Sequence, residues 1–166
     1  FGTSSIVFTG GSGGGQLVVA DHADFQYANI GAFTWEAWFY PTGSGDEILT
    51  VKRSAEIADN LRIHTHPSNG MGWLISSNGS SWDIVLKQDS WPDSDGHANY
   101  NAWNHTAVCW DGSLYSFYLN GVRIHTVSSS TAPRNNGTNM YIGAGQGGGS
   151  AFQNTSYMDD IRVSKV

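Results

Sequence analysis

The chain has 166 residues, of which 21 are glycine, 20 are serine and 12 are asparagine, so about a third of its positions favour turns. Charged residues make up 13% and the formal net charge is -6. This balance excludes a coiled coil, a charged disordered tail and a basic nucleic-acid binder, and it argues against nucleic acid or a membrane as partner. With 39% hydrophobic residues the chain can bury a core, and its length predicts one domain over residues 1–166.

Apolar residues alternate with polar ones at a period of two, and no long window shows the period of an amphipathic helix. The pattern predicts twelve short strands and therefore two stacked sheets. The predicted strands cover residues 5–8, 16–19, 33–40, 47–52, 60–65, 72–76, 82–87, 103–110, 114–119, 122–127, 140–144 and 156–163. Three dipeptides between strand-like runs predict tight hairpins: Asn78-Gly79, Asp111-Gly112 and Asn120-Gly121.

Alternation also divides the side chains of the predicted strand 33–40 between two faces. The set predicted to face the core is Phe33, Trp35, Ala37 and Phe39, and the set on the other face is Thr34, Glu36, Trp38 and Tyr40. Trp103 is predicted to join the core, and Cys109, the only cysteine, is predicted to be a small buried hydrophobe. The first residue is Phe1, with no signal peptide after it, which indicates a piece of a longer or processed protein.

Five segments in this order resemble one known family. They are SIVFTG at 5–10, FTWEAWFYP at 33–41, WNHTAVCWDGSLYSFYLNGV at 103–122, YIGAG at 141–145 and YMDDIRVSK at 157–165. Together they are similar to the laminin-G-like domains of the concanavalin A-like lectin and glucanase superfamily. The resemblance implies an all-β fold, a two-sheet antiparallel jelly-roll sandwich. Within that family, SSNGSSW at 76–82 and the terminal DDIRVSK are most similar to bacteriophage tail-fibre and capsid-surface proteins, which implies an extracellular or virion-surface location.

The superfamily includes glycoside hydrolases, which need two suitably spaced carboxyl groups. Glu36 is the only acid on its predicted strand, and Asp159 and Asp160 are adjacent, so a regular strand points them in opposite directions. The sequence also has no Gly-x-Ser-x-Gly elbow and no phosphate-binding loop. We therefore expect no enzyme activity, and a glycoside hydrolase is kept as a residual alternative.

Several side chains are candidate metal ligands. His64 and His66 share a face of a predicted strand and need a third ligand to hold a transition metal, so a solvent-facing strand edge is the simpler interpretation. The resemblance implies a structural Ca²⁺ held by a last-strand aspartate and early backbone carbonyls. Asp159 matches that aspartate, Asp160 is its neighbour, and the carbonyls are those near Thr9 and Gly10. The alternative is that Asp160 pairs with Arg162 while Asp159 caps local backbone.

Seven tryptophans raise the question of carbohydrate binding. Trp38, Tyr40 and Trp91 offer flat rings for stacking on a sugar, and Glu36 can accept hydrogen bonds from its hydroxyls. The alternative is that these aromatics fill the second layer of a sandwich or a subunit interface. The sequence thus favours a non-catalytic structural or adhesion module of a virion or extracellular assembly, whose partners are other subunits or copies of itself. A lectin-like module that binds a cell-surface glycan is the alternative function.

Overall fold

The computed structural model describes residues 4–10, 15–43, 45, 47–52, 60–87, 96–143 and 156–165. Two six-stranded sheets form the fold, and every neighbouring pair of strands is antiparallel. Sheet A contains, in spatial order, β1 (Ile6–Val7), β12 (Tyr157–Lys165), β3 (Phe33–Tyr40), β8 (Asn104–Trp110), β9 (Leu114–Leu119) and β10 (Val122–Ser128). Sheet B contains β2 (Leu17–Val19), β11 (Met140–Ile142), β4 (Glu47–Lys52), β5 (Leu61–His66), β6 (Gly70–Ile75) and β7 (Val85–Lys87).

The core lies between the two sheets and is built by the alternation seen in the sequence. All four β3 side chains predicted to face inward are buried. They pack with Ile63, Trp73 and Ile75 of sheet B and with Val108, Tyr115 and Phe117 of sheet A. Each large apolar side chain removed from water in this way contributes about 1.5–3 kcal/mol. The predicted all-β sandwich is confirmed, whereas the single-domain organisation over 1–166 stays a prediction.

Two of the three predicted hairpins are confirmed. Asn120 and Gly121 form the two-residue turn between β9 and β10, with φ values of 51° and 80°. Between β8 and β9, the Asp111 carboxylate accepts hydrogen bonds from the backbone N–H groups of Ser113 and Leu114. These side-chain bonds fix the turn, as short aspartate side chains commonly do.

The tight hairpin predicted at Asn78-Gly79 is wrong. β6 ends at Ile75 and β7 begins at Val85, so the connection is the long loop 76–84. Its backbone is bonded by side chains instead of a strand ladder: Asn78 Oδ1 accepts from the N–H groups of Ser80 and Ser81. Local bonding of this kind by asparagine competes with strand pairing.

A short helical segment that the periodicity did not predict precedes β3. It comprises a 3-10 turn at Ala23–Phe25 and a one-turn helix α1 at Tyr27–Ile30. Such short pieces are below the length at which a 3.6-residue period is visible, and buried Tyr27 fixes them by packing under Phe33, with ring centroids 4.8 Å apart. Within the described residues, neither helical piece has the length and apolar character of a membrane span.

Candidate functional site

The outer face of sheet A carries a row of half-exposed polar and aromatic side chains along its central strand. Glu36, Trp38 and Tyr40 all project from this face of β3, as the alternation predicts. Strand register places Trp38 between His105 of β8 and Asp159 of β12. These groups therefore come from three parts of the chain that are distant in sequence.

Glu36 bonds to side chains from both neighbouring strands. Arg162 donates to Glu36 Oε1 from Nε at 2.8 Å and from Nη2 at 2.5 Å, and His105 Nε2 lies 3.1 Å from Oε2. The Arg162 side chain is two-thirds exposed, so this ion pair adds less than about 1 kcal/mol to stability. Its effect is positional: the carboxylate holds the guanidinium and the imidazole beside the indole of Trp38, whose ring centroid is 5.1 Å from that of His105.

A β-bulge in β12 shapes the space next to Glu36. Asp159 pairs with Trp38 and Arg162 pairs with Glu36, so three steps along β12 match two steps along β3. Asp160 has a φ of 47°, in the left-handed region that aspartate tolerates better than most residues. The bulge opens a depression of about 310 Å³ lined by Glu36, Trp38, His105, Asp160, Ile161 and Arg162.

Two further depressions lie on the same face. One, of about 530 Å³, lies beside Tyr40, whose ring makes edge contacts with Trp103 at 5.7 Å and Tyr157 at 5.8 Å. The other, of about 410 Å³, is lined by Thr34, Tyr118 and Arg123 among others. The prediction that Trp103 joins the core is wrong, because it is half-exposed beside Tyr40. Cys109 is half-exposed as well and lines the third depression.

The carboxylates predicted to bind calcium lie at the bulge, but Gly10 does not join them. Ile6 pairs with Met158 and Val7 with Tyr157, so the chain after Val7 leads away from Asp159. Asp159 Oδ1 accepts from the backbone N–H of Asp160, as the local-cap alternative predicted. Arg162, however, pairs with Glu36 and not with Asp160. Oxygen donors suit Ca²⁺, yet the described part of the chain assembles no group of three or more His, Cys, Asp or Glu side chains that could hold a metal.

His64 is not at a solvent-facing strand edge, so that interpretation is wrong. Its side chain is 3% exposed and lies against Gly72 of β6, where a Cβ atom would come within 2.1 Å of the imidazole. Burial, aided by the nearby charges of Arg62 and His66, lowers the pKa of His64 to about 3. The imidazole is therefore neutral at pH 7.

The sequence predicts that Glu36, Trp38 and Tyr40 project from one face of β3, because alternation needs only one strand. The sequence does not predict that His105, Arg162 and Trp103 lie beside them, because their positions depend on which strands are neighbours and on the register shift in β12. Trp91 lies outside the described residues.

Comparisons with known proteins agree with this architecture. A laminin G family model, described as the Concanavalin A-like lectin/glucanases superfamily, matches residues 11–166. No sequence among the curated proteins matches the chain.

Three similar solved structures illustrate the fold. A heptameric SAP-like pentraxin from Limulus polyphemus is 16% identical with a TM-score of 0.66, covering 96% of this chain and 74% of its own. Domains LG4-5 of mouse laminin alpha1 are 12% identical with a TM-score of 0.67, covering 97% of this chain, which spans 41% of theirs. The carbohydrate binding module CBM66 from Bacillus subtilis is 12% identical with a TM-score of 0.54, covering 81% of this chain and 76% of its own.

Proposed function

Because the chain belongs to a laminin G family of the concanavalin A-like lectin/glucanases superfamily, we propose that it is a non-catalytic binding module acting outside a cell. Its ligand is a glycan, and its binding surface is the outer face of sheet A around Trp38. The observation that carries this proposal is the half-exposed indole of Trp38 beside a fixed cluster of hydrogen-bonding groups, Glu36, His105 and Arg162.

This set of side chains suits a sugar. A flat indole offers apolar area to the C–H face of a sugar ring, and the neighbouring carboxylate, imidazole and guanidinium supply acceptors and donors for hydroxyl groups. The Glu36 bridges hold those groups in place before a ligand arrives, which reduces the ordering cost of binding. Concave or open sites with a few fixed polar groups around an aromatic surface are typical of small-ligand recognition.

The same bridges argue for binding and against hydrolysis. Both oxygens of Glu36 already accept from Arg162 and His105, so this carboxylate serves to position its neighbours. CBM66 is by its title a carbohydrate binding module, which supports the proposal by analogy of fold alone.

A glycan array probed with the wild-type chain and with Trp38→Ala tests the proposal. We expect defined glycans to bind the wild type and to lose at least about tenfold in affinity with Trp38→Ala, which corresponds to 1.4 kcal/mol. Trp82→Ala is the matched control, because Trp82 is a half-exposed tryptophan in the loop 76–84. Equal glycan binding by Trp38→Ala and wild type, or no glycan binding at all, would contradict the proposal.

Assembly with a second copy of this chain is a second candidate function, favoured by the apolar edge strands β1 and β2. Val7 is 56% exposed and Val18 51% exposed, and Ile6 and Leu17 line an apolar groove of about 350 Å³ between the sheet edges. Exposed apolar edge strands are ready templates for pairing with another chain. The similarity of SSNGSSW and DDIRVSK to phage proteins supports a virion as the setting.

Light scattering after size exclusion tests this second candidate. Assembly predicts a mass above that of one chain, and Val7→Lys with Val18→Lys should return it to a monomer because buried charge at a paired edge is costly. A monomeric wild type at high concentration would exclude assembly through this edge.

Calcium binding by Asp159 and Asp160, without Gly10, is a separate proposal supported by the donor chemistry alone. A cation that binds only the native state raises the melting temperature. The proposal predicts a higher melting temperature in Ca²⁺ than in EDTA, and this difference should vanish in Asp159→Asn. An unchanged melting temperature in EDTA would rule out a structural calcium.

A further inference from the structure

We infer that the outer face of sheet A binds a linear, uncharged oligosaccharide lying along β3, and not a single terminal sugar. This inference rests on the proposed glycan-binding function. Its basis is the succession of three depressions along one strand, each with its own aromatic side chain.

The depressions follow the order of the outward side chains of β3. The first lies at Tyr40, the middle one at Trp38 and Glu36, and the third at Thr34. From Tyr40 to Thr34 the strand advances six residues, which is about 20 Å at ~3.3 Å per residue. A hexose ring, built from ~1.5 Å bonds, covers only one of these depressions. A ligand that uses all three is therefore a chain of several sugars.

Both outer depressions have groups suited to a sugar. At one end Tyr157 is 41% exposed and stands edge-on to Tyr40, next to the Asn101 and Thr42 side chains. At the other end Tyr118 and Arg123 are neighbours across β9 and β10. An aromatic side chain thus lines each of the three depressions, and Tyr118 reaches the third one from the cross-strand row of Glu36, so a chain of several sugars can contact more than one aromatic ring.

The charges of the side chains at the middle depression disfavour the binding of an acidic polymer. At the middle depression Glu36 is balanced by Arg162, whereas no cation among the described residues pairs with the carboxylate of Asp160, the second acid of its lining. The whole chain carries a formal charge of -6. An anionic sugar would meet this excess of carboxylate at close range, and like charges repel.

Titration calorimetry with oligosaccharides of increasing length tests the inference. The probes are cello-, laminari- and N-acetylchito-oligosaccharides from monosaccharide to hexasaccharide, with galacturonic acid oligomers as the anionic comparison. We expect at least one uncharged series to bind, with Kd falling about a hundredfold from monosaccharide to tetrasaccharide and then levelling off. Galacturonic acid oligomers of equal length should bind at least about tenfold more weakly.

Two variants, one in each outer depression, distinguish a binding site that spans all three depressions from one confined to the middle depression. Tyr157→Ala and Tyr118→Ala should each weaken hexasaccharide binding by about fivefold or more and leave disaccharide binding unchanged, because the middle depression is intact. Tyr141→Ala, a half-exposed tyrosine on sheet B, is the control. A monosaccharide that binds as tightly as the hexasaccharide, or binding confined to branched or acidic glycans, would overturn the inference while the proposed function stands. Absence of binding to every glycan would overturn both.

Discussion

At the scale of single residues, the buried imidazole of His64 shows how one glycine sets the environment of a titratable group. Gly72 lies opposite His64 across β5 and β6, and the absence of a Cβ atom there makes room for the ring. Within the described part of the chain its Nδ1 atom has no hydrogen-bond partner, so no bond at that atom offsets the cost of burying a charged imidazole. The folded state therefore keeps His64 neutral far below the pH at which an exposed histidine takes up a proton.

This depressed pKa predicts a loss of stability in acid. In the unfolded chain histidine takes up a proton near pH 6.5, whereas folded His64 does so only at about pH 3. The stabilisation that comes from keeping His64 neutral is fully present above pH 6.5. It is lost as the pH falls toward 3, and the free energy of unfolding then decreases by up to about 1.4 kcal/mol per pH unit. Urea unfolding between pH 7 and pH 4 measures it.

The matched comparison uses two histidine variants. His64→Gln should flatten this pH dependence, whereas His22→Gln, which changes an exposed histidine, should keep the wild-type slope. Identical slopes for His64→Gln and the wild type would show that His64 is not protected from protonation in the fold.

At the scale of elements, the bulge in β12 is what gives a regular sheet the depression beside Trp38. Without the extra step between Asp159 and Arg162, the outer face would continue as a plain ladder beside β3. The bulge depends on the left-handed backbone of Asp160, a conformation that costs most residues about 1–2 kcal/mol. Backbone conformation and side-chain chemistry at Asp160 are therefore separable by mutation.

The variants Asp160→Gly and Asp160→Ala separate the effect of the backbone conformation from that of the carboxylate. Both variants remove the carboxylate, and only alanine keeps a Cβ atom. We expect the glycine variant to be more stable than the alanine variant by about 1 kcal/mol, because glycine accepts a positive φ at no steric cost. Chemical denaturation measures the difference. Equal stabilities would mean that residue 160 does not hold the left-handed conformation in solution.

At the scale of the whole molecule, a buried ion pair ties the segment before β3 to sheet B. The Lys52 side chain is 1% exposed, and its ammonium donates to Asp21 at 2.6 Å and to the Thr138 carbonyl at 2.7 Å. Asp21 also accepts from the Gln26 side chain. The helical segment is thus anchored by charge as well as by the packing of Tyr27.

The two single substitutions that break this ion pair should lower the free energy of unfolding by different amounts. Asp21→Asn leaves the Lys52 ammonium buried without its counter-charge, and we expect it to lower the free energy of unfolding by about 3 kcal/mol or more. Lys52→Met leaves a partly exposed carboxylate that water can solvate, so its cost should be smaller. Urea denaturation of both variants measures the two losses of unfolding free energy. A larger loss for Lys52→Met than for Asp21→Asn would contradict the prediction that the buried ammonium is the costlier group to leave unpaired.

Across these scales, the sequence predicts what depends on one strand and misses what depends on several. The bounds of β3 and β9 and the outward direction of Trp38 follow from alternation alone. The partnership of Glu36 with Arg162 requires both the order of strands in sheet A and the bulge. The burial of His64 depends on its packing against Gly72 of the neighbouring strand β6. No local pattern encodes any of these tertiary facts.

The most direct test of the proposed glycan-binding surface is an NMR titration of the isotope-labelled chain with an oligosaccharide that binds it. We predict that amide shift changes concentrate on β3, β8 and β12 and include the indole N–H of Trp38, while the buried indole of Trp73 is unaffected. Shift changes confined to sheet B or its loops, with the Trp38 indole unmoved, would contradict the account.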